Sequence, residues 1–523
     1  MVLVFASLGV VLVFASLGTA RAGFEELGTA LGDRVDRHIL WEGSFRIRSE
    51  LFYNLDLDRG PTPSGELVFP VPLGDPRAQA LTRFDMRMRN DLTLVAPMGG
   101  LAAHLRLDLF DGISLGSAPD GPPSAATGQS PGSAVLTIRR AWAEALTPFG
   151  VLAAGRMGSH WGLGILTHGG DEPDSDGGDA ADRIAFSTPL GGLVWSLAFD
   201  FTAVGPETAR RGGTKTVDLD PADDVWTVTF AVLRYHDARA HRRRMRAGKA
   251  TVDAGAYVSH RWQDQDVPAT YVPTATEVPL SAAQVMTRGF HATALDAYLR
   301  VTHPVFEVEA EAVYLFGGYD QASLVPGVLL REEVTAQQWG FAAKSRFGDG
   351  ADGGSAGFDL GVASGDPAFG FGVSQPLGGR TPQRGDMDGS QLRLPYDTRF
   401  SNLAFHPDYR VDQILFRELI GTVTDAVYLR PHARWTWPGF LAGALTLDLA
   451  VVASWAMEAT STPGQATALG VEIDPSLSYV SEDGFRLDLD YAVLFPGAGF
   501  DNPEAGLAAK AAQLMRVRLG YRF

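Results

Sequence analysis

The chain has no cysteine among its 523 residues. Disulfides, thiolate nucleophiles and thiolate metal sites are excluded, and the absence suits a protein exported through an oxidising compartment. Cationic residues are in deficit. Against 61 Asp and Glu there are 44 Lys and Arg, a formal net charge of -17, which argues against a general nucleic-acid binder. Long apolar runs are scarce too: mean hydropathy is zero, and the one extended apolar segment, residues 2–20, is N-terminal. That excludes a polytopic helical membrane protein, which needs about 20 apolar residues per span. It does not exclude a transmembrane barrel, whose strands are apolar only at alternate positions.

The N-terminal segment is a tandem repeat, with residues 2–9 recurring at 11–18, followed by Ala20-Arg21-Ala22. An apolar run ending in A-x-A predicts a secretory signal peptide over residues 1–22. It departs from the usual pattern in having no Lys or Arg ahead of the apolar run. Residues 23–43 are expected to form a periplasmic segment or short helix, ahead of a single domain over 44–523.

Within that domain, alternation is the dominant pattern. Phe84, Met86 and Met88 alternate with Arg83, Asp85, Arg87 and Arg89, and Leu101 to Leu109 alternate with His104, Arg106 and Asp108. Phe306, Val308 and Ala310 alternate with Glu307, Glu309 and Glu311, and Phe485 to Tyr491 with Arg486, Asp488 and Asp490. Side chains point to opposite faces of a strand at period 2. Charge at every second position cannot enter a dry core. An apolar outside and a wet inside is what a transmembrane barrel requires.

Connections alternate as well, and the 60 Gly and 31 Pro suit them. Short ones stand at 96–100, 147–150, 188–192, 302–304 and 481–484, with a longer turn at 237–248. Between them run polar stretches at 56–81, 111–133, 158–181, 204–221, 263–289, 318–333, 366–420, 457–467 and 497–508. The pattern predicts an all-β, antiparallel, up-and-down transmembrane barrel of about 18 strands (16 to 18), with short periplasmic turns and long extracellular loops. Residues 405–420 read as an extra strand or a lumenal helix and are left out to keep the parity even.

The last residues, Met515 to Phe523, place Met515, Val517, Leu519, Tyr521 and Phe523 on one face and Arg516, Arg518 and Arg522 on the other. A strand of this kind ending in Phe resembles the C-terminal assembly signal of bacterial outer-membrane barrels. Arg140 to Gly150, Gly155 to Gly164, Phe405 to Asp412 and Leu469 to Asp474 together resemble a family of predicted outer-membrane proteins of Gram-negative bacteria. More loosely the chain is similar to porins and alginate-export-type barrels, which carry Gly-Arg-Gln where Gly155-Arg156-Met157 stands here. The resemblance implies fold and a bacterial outer-membrane location. It implies as partners membrane lipid and lipopolysaccharide, and the assembly machinery acting on the last strand. Porins often trimerise, so the similarity to them implies a homotrimer. It brings no substrate and no functional residues.

The lumen carries the functional expectation. Arg46, Arg48, Arg83, Arg87, Arg89, Arg106, Arg516 and Arg518 fall on neighbouring strands and predict a cationic, pore-lining wall. Glu307, Glu309 and Glu311 fall about half-way round, so an anionic wall is expected opposite, with a transverse field between them. Charged faces leave no long apolar path, which counts against hydrocarbon transport. Loop 158–181, with five carboxylates at Asp171, Glu172, Asp174, Asp176 and Asp179, is a candidate Ca²⁺ cradle. Its spacing does not match an EF-hand and Pro173 interrupts it, so a solvated acidic loop is expected, and no metal or cofactor. Ser159-His160 and His406 near Asp408 are the only arrangements suggesting catalysis, and neither matches a nucleophile elbow or metal motif. The expected function is a porin-like channel for passive diffusion of small polar solutes, not an enzyme. Alternatives are a saccharide-specific barrel, with Trp142 and Trp161 as stacking surfaces, and a non-conducting barrel presenting its loops.

Overall fold

The computed structural model describes residues 23–24, 27–31, 38–75, 79–96, 98–114, 136–209, 213–267, 284–322, 333–348, 353–374, 381–389, 391–393 and 397–523. The expected signal peptide at 1–22, Pro97 and most of the 111–133 stretch lie outside these residues.

Eighteen strands form the wall: β1 (Ile39–Tyr53), β2 (Ala80–Val95), β3 (Leu101–Ser114), β4 (Leu136–Thr147), β5 (Gly150–Ser159), β6 (Asp179–Leu190), β7 (Leu193–Ala203), β8 (Val225–Arg234) and β9 (Thr251–Asp266). They continue with β10 (Met286–His303), β11 (Phe306–Tyr319), β12 (Val334–Gly348), β13 (Gly354–Ala363), β14 (Ala426–Pro438), β15 (Gly443–Ala456), β16 (Ala468–Ser481), β17 (Phe485–Pro496) and β18 (Ala512–Arg522). Each pairs antiparallel with its sequence neighbours. β18 returns to β1, with Ser44 opposite Arg522, Arg48 opposite Arg518 and Glu50 opposite Arg516. The ring is closed, so no strand edge is left unpaired.

Alternation holds through the wall. On β18, Met515, Leu519 and Tyr521 are exposed outward, while Arg516 and Arg518 are buried inward. Exposed aromatics gather at both rims: Trp41, Trp437, Phe440, Phe485 and Tyr521 at one, Tyr53, Phe201, Trp455 and Phe495 at the other. Phe523 packs against Trp41 and Tyr521 at the first rim, with ring centres 5.4 and 6.1 Å apart. The first rim also carries the short connections. Between β6 and β7 only Gly191 and Gly192 intervene, both at positive φ (65° and 79°), the conformation a two-residue hairpin demands. The turn between β8 and β9 contains the helix Ala238–Arg246.

Nine long connections, L1 to L9, link strand ends of the other rim, at 54–79, 115–135, 160–178, 204–224, 267–285, 320–333, 364–425, 457–467 and 497–511. Among the described residues, those of L3 and L7 fold inward. L7 inserts Leu403, Phe405, Tyr409, Ile414, Leu415, Phe416 and Val423 against small inner-face residues such as Ala363, Ala426, Val452, Ala492 and Ala512, forming a dry cluster inside one half of the barrel. Its 405–420 stretch is neither an extra strand nor an ordinary helix. It contains a turn of π-helix, Leu415–Leu419, whose N-terminal amides Gln413, Ile414 and Leu415 donate to the Glu472 carboxylate. An apolar interior therefore exists, contrary to the charged interior read from sequence, but it is filled.

The first strand starts at Ile39, and the described residues before it fold back into the lumen. Gly28 N donates to Glu144 Oε2 on β4 at 2.8 Å. The Arg183 guanidinium of β6 lies over the Phe24 ring at 5.3 Å.

Candidate functional site

Arg46 and Arg48 come from β1, Arg83, Arg87 and Arg89 from β2, Arg106 from β3, and Arg516 and Arg518 from β18, so adjacent strands bring all eight together inside the barrel. Apart from Arg83, none is more than 9% exposed. Acids of the same wall take part of the charge. Asp85 accepts from Arg46 and Arg48, Asp108 from Arg89, Asp91 from Arg106, and Glu50 from Arg516 and Arg83. Glu418 of L7 accepts from Arg83 at 2.8 Å.

L3 covers what remains. Asp176 accepts from Arg46 Nη2 and Arg48 Nη1, both at 2.9 Å. Asp174 accepts from Arg417 Nη1 at 2.6 Å and Arg410 Nη1 at 2.9 Å, and lies 2.6 Å from Arg518 Nη1 and 3.3 Å from Arg48 Nη1. Asp171 pairs with Arg106 and Arg140. The carbonyls of Ser175 and Gly170 accept from Arg87 and Arg89 at 2.6 Å. Burial pushes the Asp174 carboxyl up, but Arg417, Arg518 and Arg410 outweigh it and hold it well below the ordinary carboxylate range. Asp176 and Asp171 are held low against burial in the same way by Arg48 and Arg106. The loop is thus neither a solvated acidic stretch nor a Ca²⁺ cradle, because arginine nitrogens occupy Asp171, Asp174 and Asp176 and His406 faces Asp179.

The three glutamates of β11 separate. Glu311 is fully buried and accepts from Leu163 N and Gly164 N of L3, at 2.5 and 3.0 Å. Glu309 accepts from Tyr298 OH at 2.6 Å and Glu307 from Arg346 at 2.7 Å. L3 therefore spans the lumen, its carboxylates on the arginine wall and its 163–164 backbone on the opposite wall. The expected transverse field changes accordingly. Arginine charge is cancelled at contact by L3 rather than across the lumen by the glutamates. Sequence offered a signal for this: the inner faces of β1, β2 and β18 hold more arginine than acid, and the densest acidic run elsewhere is 171–179.

Ser159-His160 and His406-Asp408 do come close, through L3 and L7. His160, His168 and His406 pack in sequence, with ring centres 5.1 and 5.5 Å apart. Their Nδ1 atoms accept from Gly169 N, Gly170 N and Asp408 N respectively, while Asp408 accepts from Ser175 Oγ, Asp176 N and Gly177 N. The triad His168, His406 and Asp408 has a metal-like spacing. An imidazole whose Nδ1 accepts a backbone N–H keeps its own proton on Nε2, however, and Nε2 then has no lone pair to give. The histidines organise loops. Trp142 stacks on His104 at 4.3 Å, and Trp161 is 5% exposed with its edge on Tyr257, so neither offers an open stacking face.

Opposite the L7 plug, between L3 and the wall from β4 to β12, a cavity of about 1010 Å³ stays open. Thr227, Thr229, Ser259, Tyr257 and Arg261 belong to its wall. Arg261 is exposed, donates to Thr227 Oγ1 at 3.0 Å, and forms no ion pair among the described residues. Beneath lies a pocket of about 20 Å³ bordered by Asp253, Tyr298 and Arg300. Gly23, Phe24, His160 and Trp161 border both spaces. Phe24 is a contributor that alternation analysis does not reach, because it precedes every strand.

No family model matches the chain, and no curated protein matches it. Among solved structures it is similar to OccK11 (OpdR) of Pseudomonas aeruginosa, with 12% identity, 94% of this chain and 99% of that one covered, and a TM-score of 0.45. OpdL of the same organism gives 12%, 93%, 98% and 0.47, and OccAB3 of Acinetobacter baumannii 9%, 92%, 99% and 0.44. The fold itself rests on the closed ladder. An apolar outer face, aromatic rings at both rims and a charged interior require a lipid bilayer around the barrel. It resides in the bacterial outer membrane, with short turns in the periplasm and long loops outside.

Proposed function

We propose that the protein is a porin-like channel for passive diffusion of small polar solutes, with a charged lumen. The reading rests on the cavity of about 1010 Å³ that L3 and L7 leave open along β4 to β12. Its hydroxyls exchange hydrogen bonds with a solute at little net cost, and among the arginines that line it Arg261 is exposed and forms no ion pair among the described residues. Phe24 and Trp161, which border both spaces, restrict passage to small molecules. Glu307 and Glu309, both partly exposed, line the periplasmic exit, whereas Arg46, Arg48, Arg87, Arg89, Arg106 and Arg518 act by holding L3, and Arg83 and Arg516 by holding L7. The saccharide alternative needs a free aromatic face, which Trp142 and Trp161 do not offer. In the same reading the assembly machinery engages β18, and the unit is a homotrimer.

Purified protein in a planar bilayer tests this. Discrete, small conductance steps are expected, with an anion preference that falls in Arg261→Gln and rises when Glu307 and Glu309 become Gln. A correctly folded barrel that stays silent overturns the proposal.

A further inference from the structure

L4 opens with a two-stranded ribbon, Glu207–Ala209 against Thr216–Asp218, and continues through Asp220, Asp223 and Asp224 into β8. Asp218, Asp223 and Asp224 each offer a carboxylate oxygen, all within 4.8 Å of one another. Asp223 is only 2% exposed, and neither of its carboxylate oxygens has a hydrogen-bond partner; the buried Asp224 Oδ1 also lacks one. No Lys or Arg among the described residues forms an ion pair with these three carboxylates. An isolated buried carboxylate is costly, and proteins pair such groups with cations or metals.

The surroundings are built rather than loose. Gly205 lies flat against Asp223: a Cβ there would stand 2.1 Å from both carboxylate oxygens, so any larger residue would displace the carboxylate. Gln263 Nε2 donates to Asp223 O at 2.8 Å, and Gln265 N donates to Ala222 O at 3.0 Å, tying the loop to β9. Asp218 Oδ1 accepts from Asp220 N, leaving its second oxygen turned to other uses.

We propose that Asp218, Asp223 and Asp224 bind a calcium ion on the extracellular face of the barrel. The donor set is all hard oxygen, and Ca²⁺ accepts six to eight such ligands at about 2.3–2.6 Å in irregular geometry, with waters completing the shell. Oxygens up to 4.8 Å apart fit around one such ion, whereas Mg²⁺ demands a tighter octahedron. The site is separate from the conduction path, and it fixes L4 to β8 and β9.

Isothermal titration of CaCl₂ into chelator-stripped, full-length protein in detergent tests the site. Saturable one-site binding is expected with a Kd of about 10⁻⁴–10⁻³ M, as in extracellular modules, and weaker binding of Mg²⁺. Asp223→Asn should weaken Ca²⁺ binding at least about tenfold, as loss of a charged ligand does, while Asp483→Asn in a periplasmic turn leaves it unchanged. Thermal melting gives a second readout. Asp223→Asn should melt above the parent in chelator and lose the Ca²⁺-induced rise, since it removes both the stranded charge and the ligand. Absence of saturable binding to the parent, or a wild-type affinity in Asp223→Asn and Asp218→Asn, overturns the proposal.

Discussion

Asp174 meets four arginines, from β1, β18 and L7. Each has lost most of its water, so removing the shared carboxylate leaves several buried cations under-paired, a change that costs about 3–5 kcal/mol in comparable buried networks. Asp174→Ala is therefore expected to destabilise the barrel by roughly that amount in urea unfolding followed by heat-modifiable gel migration. It should also enlarge single-channel conductance, because L3 loses its main anchor. An unchanged unfolding midpoint would mean that Asp171 and Asp176 hold the loop without it. The sequence shows the excess of arginine on the strands and of acid in the loop, but not which carboxylate meets which arginine. A run such as Asp171-Glu172-Pro173-Asp174 reads as solvated until the arginines that face it are placed, and those come from β1 to β4 on one side and from L7 and β18, more than 200 residues on, on the other.

Elements were far easier to read than their docking. Strand and turn positions follow from period-2 alternation and from Gly/Pro punctuation, both local properties, so Glu307 to Glu311 fell on the eleventh strand and β18 beside β1 as expected. The inward course of L3, L7 and the N-terminal segment depends on contacts between distant parts of the chain. Phe405 and Phe416 look like ordinary loop residues until the small inner faces of β13 to β17 leave room for them. The N-terminal segment yields its own prediction. With Phe24 bordering both spaces and Gly28 held by Glu144, deletion of residues 24–31 should raise conductance several-fold without altering the unfolding midpoint by more than the loss of one buried aromatic, about 3 kcal/mol. Conductance that does not change would place the narrowest point elsewhere.

At the scale of the whole molecule, the interior is more tolerant of acid than an aqueous pore lined by free carboxylates. Asp408 is buried, Asp171 and Asp174 are half-buried and Asp176 is exposed, and all four are held low by their arginine and loop partners. A carboxyl with a lowered native pKa stabilises the fold above its ordinary value, about 3.9, and loses that contribution only as pH falls through the lowered one. His168 behaves otherwise. Burial lowers it against the pull of Glu172 and Asp408, so its contribution is full above the ordinary imidazole value of about 6.5 and is lost as pH drops through the lowered value. Loop docking, followed by protease sensitivity of L3, should be flat from pH 9 to about 6.5, weaken modestly below that, and fail only under strong acid. His168→Gln should remove the middle step alone. A parent whose L3 becomes sensitive already at pH 7 would contradict this order.

The junction of β1 with β18 has one more consequence. Every other neighbouring pair of strands is joined by a turn or loop, but these two are joined by nothing covalent, so this is the seam along which the wall could part. Across it Glu50 grips Arg516 and Asp174 grips both Arg48 and Arg518. The loop that narrows the pore is thus also a rivet through the seam. Parting of the seam and displacement of the loop become the same event, and a wall sealed with its loops left outside would lack the fastener that keeps it shut.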